Sequence, residues 1–266
     1  GAMRFLGPAP ARPKKNAKRT ALLLAPDAWE GVFTSADAAR HMQRAAACCL
    51  PDAIVETQLV ADGGRGTLDA LVCSVNGRYL LAELDGANGK TPLRYGILPD
   101  ESVVFETEGL DEAQILQAMT LPQNRGYTRC QLAAGGGGIP AELPAHLEIT
   151  VLSRRVSGCA GHDNPVRFRS GIEAVLETGG FDARLARADW LIALTRLLDE
   201  RGSLLGPTAD TLLYHGRRAH KRVAALAFSP DGRFYAKIGD AEPELLDGAT
   251  FDEAARAFFG RIGING

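Results

Sequence analysis

Asp62-Gly63-Gly64-Arg65-Gly66-Thr67 is the stretch whose residue types and spacing could do chemistry most directly. Three glycines let backbone amides approach a ligand closely, and a helix start beneath them adds partial positive charge, so the place suits a phosphate or a carboxylate. The same pattern also fits a tight turn whose glycines serve only backbone geometry. Other constellations are absent. The histidines, His41, His146, His162, His215 and His220, are scattered without an HExxH-type pair. The five cysteines, Cys48, Cys49, Cys73, Cys130 and Cys159, lack CxxC spacing. They read as small hydrophobes in a reducing compartment, and no protein-built transition-metal site is expected.

The elements around that stretch place it. Leu22 to Ala25 is a short apolar run ended by Pro26, as in a buried parallel strand. A helix follows from Ser35, as cap, to Cys49, with Ala38, Ala39, Met42 and Ala46 inward; Pro51-Asp52 stops it, and Ile54 to Val60 makes a second strand. This is a βαβ unit. The loops Pro26 to Gly31 and Ala61 to Thr67 therefore both lie at the carboxyl ends of parallel strands, the edge where such sheets bind ligands.

From Arg78 the texture changes to short strands, Tyr79 to Leu84, Leu93 to Leu98 and Ser102 to Glu106, separated by turn residues in the manner of an antiparallel meander. A helix near Asp111 to Met119 and strands near Thr128 to Ala133 and Glu148 to Leu152 follow, with Gly135 to Gly138 between the last two. The final third returns to alternation: helices over Ser170 to Glu177, Asp182 to Ala188 and Ala209 to His220, and strands over Trp190 to Leu194, Val223 to Phe228 and Phe234 to Ile238. A capping box at Thr250 to Glu253 opens a terminal helix. The fold class is α/β. We expect a Rossmann-like, mostly parallel three-layer domain from 20–66 and 170–266, and a second, smaller α/β subdomain with antiparallel strands over 67–169.

Composition narrows the function classes. With 266 residues, 45% hydrophobic and 23% charged, the chain can bury its own core, and a net charge of -2 gives no global pull toward nucleic acid or an anionic membrane. Gly1-Ala2-Met3 reads as a protease scar, and 1–19 as a disordered basic leader with Arg12, Lys14, Lys15, Lys18 and Arg19. No run approaches a membrane span, so a cytoplasmic protein is expected. Local basic groups, Arg154-Arg155, Arg167, Arg169 and Arg217 to Arg222, leave open a surface for nucleic acid or an acidic partner. They lack the interleaved aromatics of a base-stacking surface, so nucleic acid is not expected among the partners.

Ala25-Pro26-Asp27 after the first strand and Ala61-Asp62-Gly63-Gly64-x-Gly66-Thr67 after the second resemble the bacterial glycerate kinase family, the two-domain type. The likeness continues through Asn76-Gly77-Arg78, Leu93 to Leu98, Gly171 to Leu176, Phe181 to Leu185, Ala188-Asp189 and Ser203-Leu204-Leu205-Gly206. The resemblance implies transfer of the γ-phosphoryl group of ATP to D-glycerate, with magnesium, in a cleft between two α/β domains.

The departures from that family sit where phosphoryl transfer needs cations and carboxylates. Ala28 and Glu30 stand at the family's first-loop serine and lysine, and Arg65 at its second-loop glutamate. Gly135 to Gly138 lacks the family's serine, asparagine and aspartate, Leu152 to Ser157 replaces its Cys-Asp-Val-x-Asn-Pro stretch, and Pro207 stands at the late lysine. The chain is also shorter than an ordinary member. The expectation is a pseudoenzyme without cofactor or metal, binding another protein, with a residual small anion in the interdomain cleft. Gly63, Gly64, Gly66, Thr67, Gly136, Gly137 and Ser203 would be the remnant of the ligand site, and Glu30 and Arg65 would form an ion pair with the family's signs exchanged. The alternative is a divergent active kinase. There Asp27, Asp62, Asp199 and, as a further candidate, Asp189 would hold magnesium beside ATP, and Arg65 would supply positive charge; Asp27 and Asp62 equally fit caps of the turns that follow them.

Overall fold

The computed structural model describes residues 18–29, 31–154, 166–196, 206–248 and 250–264. The leader expected over 1–19 therefore lies outside the described residues as far as residue 17. Among the described residues no helix is long and apolar enough to cross a membrane.

The chain runs β1 (Ala21–Pro26), α1 (Ser35–Cys49), β2 (Ile54–Thr57), α2 (Thr67–Val75), β3 (Arg78–Gly86), β4 (Gly89–Ile97), β5 (Ser102–Glu106), α3 (Glu112–Ala118), α4 (Leu121–Asn124), β6 (Arg129–Gly135) and β7 (Glu148–Ser153). It continues with β8 (Arg167–Ser170), α5 (Gly171–Thr178), α6 (Phe181–Ala186), β9 (Trp190–Arg196), α7 (Pro207–Arg218), β10 (Arg222–Phe228), β11 (Phe234–Ile238), β12 (Glu244–Leu245) and α8 (Phe251–Ile264). Two six-stranded sheets result, ordered β12-β11-β10-β9-β1-β2 and β3-β4-β5-β6-β7-β8.

In the first sheet β2, β1, β9 and β10 run parallel and β11 and β12 antiparallel. Alternation along β1 divides its side chains between two cores. Leu22 and Leu24 face α1 and α8, and Leu23 and Ala25 face α5, α6 and α7. This is the three-layer domain expected. The second sheet is antiparallel only through β3, β4 and β5; β5 to β8 are parallel. The meander thus turns into a parallel run because α3, α4 and the 136–147 connection return the chain across the sheet. A further core of Leu68, Leu71 and Val72 of α2, Ala174 and Val175 of α5, and Val104 and Leu152 joins the two sheets.

Two local expectations shift. Thr34, not Ser35, caps α1, its hydroxyl accepting from Asp37 N–H at 3.1 Å. The second strand ends at Thr57, yet Gln58 and Val60 N–H still donate to Leu24 and Pro26 carbonyls (2.9 and 3.1 Å). That extension carries the chain past the end of β1 and delivers Asp62 beside Asp27.

Candidate functional site

Pro26 pairs with Leu194 where β1 and β9 end side by side, and the chain leaves them in opposite directions, toward β2 and toward β10. A crevice opens at such a switch point, outside the carboxyl ends of the strands. Asp27 stands in it. Its carboxyl is raised to about 7, by burial first and also by the nearby Asp62 charge, against the Ala28 N–H bond (2.8 Å), a bond from the Thr208 hydroxyl at the start of α7, and the positive charge of Arg196. Arg196 in turn lies over the Trp29 ring at 4.4 Å, and Trp29 meets Phe228 edge-on at 4.4 Å. Trp29 therefore fills space against the first core.

The glycine loop is held differently. Gly63 and Gly66 have φ of +101° and +92°, a region that glycine enters without strain. Gly63 also packs backbone to backbone on α5: a Cβ on Gly171 would sit 2.1 Å from Gly63 Cα. A Cβ on Gly135 would sit 2.9 Å from Gly64 Cα, and Gly135 N–H donates to the Gly63 carbonyl at 3.0 Å. These contacts account for Gly63 and Gly64 as the junction of three backbone segments.

The helix start beneath the loop is already occupied by a carboxylate of the chain itself. Glu106, at the end of β5, accepts from Gly66 N–H (3.0 Å) and Leu68 N–H (3.1 Å). Burial raises its carboxyl above the ordinary range, and the Leu68 and Gly66 bonds act in the opposite direction. Asp62 is also engaged: one oxygen accepts from Gly64 N–H (3.0 Å) and the other from Arg154 Nε (2.6 Å). Thr67 is fully buried, with a hydroxyl oxygen that finds no partner among the described residues. Gly136 lies beside Arg154, whose Nη1 is 3.5 Å from where a Cβ would stand, and Gly137 N–H closes a turn on the Ala134 carbonyl (2.8 Å).

The remaining candidates fall elsewhere. Arg65 pairs with Glu108 at 3.2 Å. Glu30, Asp199 and Ser203 lie outside the described residues, and with them the expected Glu30 and Arg65 pair. Asp189 precedes β9 at the opposite end of the sheet. It accepts from Ala21 N–H (2.8 Å) and Lys18 (3.1 Å), so it ties down strand starts and has no place in the crevice. Of the basic groups, Arg169 pairs with Glu177, Arg217 with Asp240 (3.4 Å), and Lys221 donates to the Ala186 carbonyl (3.2 Å).

Of the carboxylates that could hold magnesium, Asp27 and Asp62 come near each other, and Asp62 is bonded to Gly64 and Arg154. Among the described residues no group of three or more His, Cys, Asp or Glu side chains is placed to hold a metal ion. Glu106, Arg196 and Thr208 stand beside the two loops, and residue patterns do not single them out. The one signal for Glu106 is its place as an acid at a strand's carboxyl end.

Comparison with known proteins bears on the sequence of the first part and on the fold. A family model described as the glycerate kinase family matches residues 22–110. The glycerate kinase of Bacillus subtilis (strain 168) is 26% identical over 194 residues, 72% of this chain and 44% of that protein. The chain thus spans less than half the length of that relative. A crystal structure described as a glycerate kinase 2, from Salmonella typhimurium LT2, matches with a TM-score of 0.67 at 15% identity, over 93% of this chain and 98% of that one. Over residues 22–110 the sequence is similar to the glycerate kinase family, and the fold is similar to that of the glycerate kinase 2 structure.

Proposed function

We propose that this protein is a glycerate-kinase-like scaffold that has given up phosphoryl transfer and works as a binding, regulatory or structural module for another protein. The observation that carries this reading is Glu106, whose carboxylate takes the Gly66 and Leu68 amides at the start of α2. Phosphoryl transfer depends on positioning and on positive charge around the phosphates. An incoming phosphate would have to displace a bonded carboxylate and would meet its charge. The bond from Arg154 to Asp62 adds to this, since it ties up a loop cation and a loop carboxylate together. Titration with ATP and magnesium should leave the melting temperature unchanged, and a coupled assay with D-glycerate should show no ADP release. Saturable turnover would overturn the reading.

A second reading, a divergent ATP-dependent kinase of glycerate or a similar small hydroxy acid, is favoured by one observation. Asp27, Thr208 and Arg196 converge at the switch point, and a carboxyl that titrates at about 7 is suited to general-base work. The same two assays decide between the readings.

A further inference from the structure

Sheet edges are liabilities, and three of the four here are short. β2 and β8 have four residues each and β12 has two, but β3, at the edge of the second sheet, has nine. Strand β3 carries no proline, and its pairing with β4 runs without a bulge from Arg78↔Ile97 to Gly86↔Gly89. Leu81, in its middle, is 78% exposed, and Tyr79 is exposed on the same face. Leu80 and Ala82, on the other face, are partly buried against the core of the second sheet.

The register shows which backbone groups are open. Gly86 and Gly89 close a two-residue turn, so the even-numbered residues of β3 exchange hydrogen bonds with β4 and the odd-numbered ones point outward. Asp85 N–H confirms the parity, since it donates away from β4 to Gln117 Oε1 of α3 (2.8 Å). Tyr79, Leu81 and Glu83 are left with outward N–H and C=O groups that have no partner among the described residues.

We propose that β3 is a self-association edge: two copies of this chain pair antiparallel through β3, about a two-fold axis at Leu81. The occupant is a second copy because this strand is complementary to itself. A two-fold normal to the sheet keeps each face on its own side, so opposed residues must share parity. Centring it on Leu81 opposes Leu81 to Leu81 and Tyr79 to Glu83. That arrangement uses all three open residues of each copy. Centring it on Ala82 would oppose Tyr79 to Asp85, whose N–H is already taken by Gln117, so the α3 contact selects the register. On the outer face the pairing brings two exposed leucines together and sets Glu83 of one copy beside the Tyr79 ring of the other, which carries Arg94 at 4.7 Å from its centroid. On the inner face Leu80 and Ala82 of the two copies come together and continue the apolar layer. Main-chain bonds supply affinity and the leucine contact supplies specificity, as in strand addition generally.

Sedimentation of the full chain over a concentration series tests this, with Leu81→Lys and Leu81→Pro beside the wild type. Lysines directly opposed across the two-fold repel, and proline removes an N–H that the monomer does not use. The wild type should dimerise, and each variant should raise the dissociation constant by at least about tenfold. Leu81→Lys should keep the wild-type circular dichroism and melting temperature at low concentration, because the side chain is exposed. Residue-resolved amide exchange adds a signature: Tyr79, Leu81 and Glu83 should gain protection with concentration, while Leu80 and Ala82 stay protected throughout. A monomeric wild type, a dimer indifferent to Leu81→Lys, or uniform protection along β3 would overturn the proposal.

Discussion

Two loops face each other at the carboxyl ends of β1 and β2, and the fold treats their polar groups in opposite ways. The loop before α2 is answered from within: Glu106 takes its amides, Arg154 takes Asp62, and Gly135 and Gly171 press against its glycines. The loop after β1 is left under tension. Asp27 is pushed up to about 7 because burial outweighs its bonds to Ala28 and Thr208 and the charge of Arg196. A place shaped for an anion can thus be closed by one internal carboxylate, while a carboxyl in the next loop stays poised to titrate.

The largest effect should come from breaking the glycine junction. Gly171→Ala places a Cβ 2.1 Å from Gly63 Cα, in backbone that cannot retreat, and should cost about 3 kcal/mol or more of stability in urea denaturation. A loss below about 1 kcal/mol would mean that the junction gives way easily.

The contrast sharpens next through Asp27. Its ordinary value is 3.8 and its folded value about 7, so between those pH values the native state holds a proton that the unfolded chain has released. Its contribution to stability is therefore fully present below about pH 4 and declines as pH rises through 7. Asp27→Asn should flatten that slope. The variant should match the wild type near pH 4 and exceed it by about 2–4 kcal/mol at pH 8, in denaturation curves taken across the range. Parallel pH profiles for the two proteins would refute the assignment.

Glu106→Ala should have the smallest cost, about 1–2 kcal/mol, from the loss of two charge-assisted bonds at the start of α2. It should also change the loop's response to anions. Sulfate should raise the melting temperature of the variant more than that of the wild type, because the vacated amides can then take an external oxyanion. An equal response would show that the cradle does not bind anions even when opened.

Much of this was legible in residues near one another in the chain. Leu22 to Ala25, the periodic apolar face of α1 and the stop at Pro51-Asp52 define the βαβ unit, and that unit alone puts Asp27 and Asp62 at carboxyl ends. Pattern also separates the alternating first domain from the meander that follows Arg78. It does not show where the meander stops, because β6 looks the same whether it joins β5 parallel or antiparallel. Arg154 and Arg196 illustrate the same limit. One reads as part of a basic patch and the other lies beyond the expected strand Trp190 to Leu194 with no reading of its own, and only packing reveals that they answer Asp62 and Asp27.

The sequence by itself determined the family likeness, the two loops and the positions at which an anion site would have to be built, since all of these rest on local spacing. Tertiary structure decided what fills that site. Glu106 is forty residues from Gly66, and its carboxylate reaches those amides only because the second sheet sets the end of β5 against the start of α2. Hydrogen bonds between distant segments leave no period in the chain, so the closing of the cradle could be read only from the folded protein.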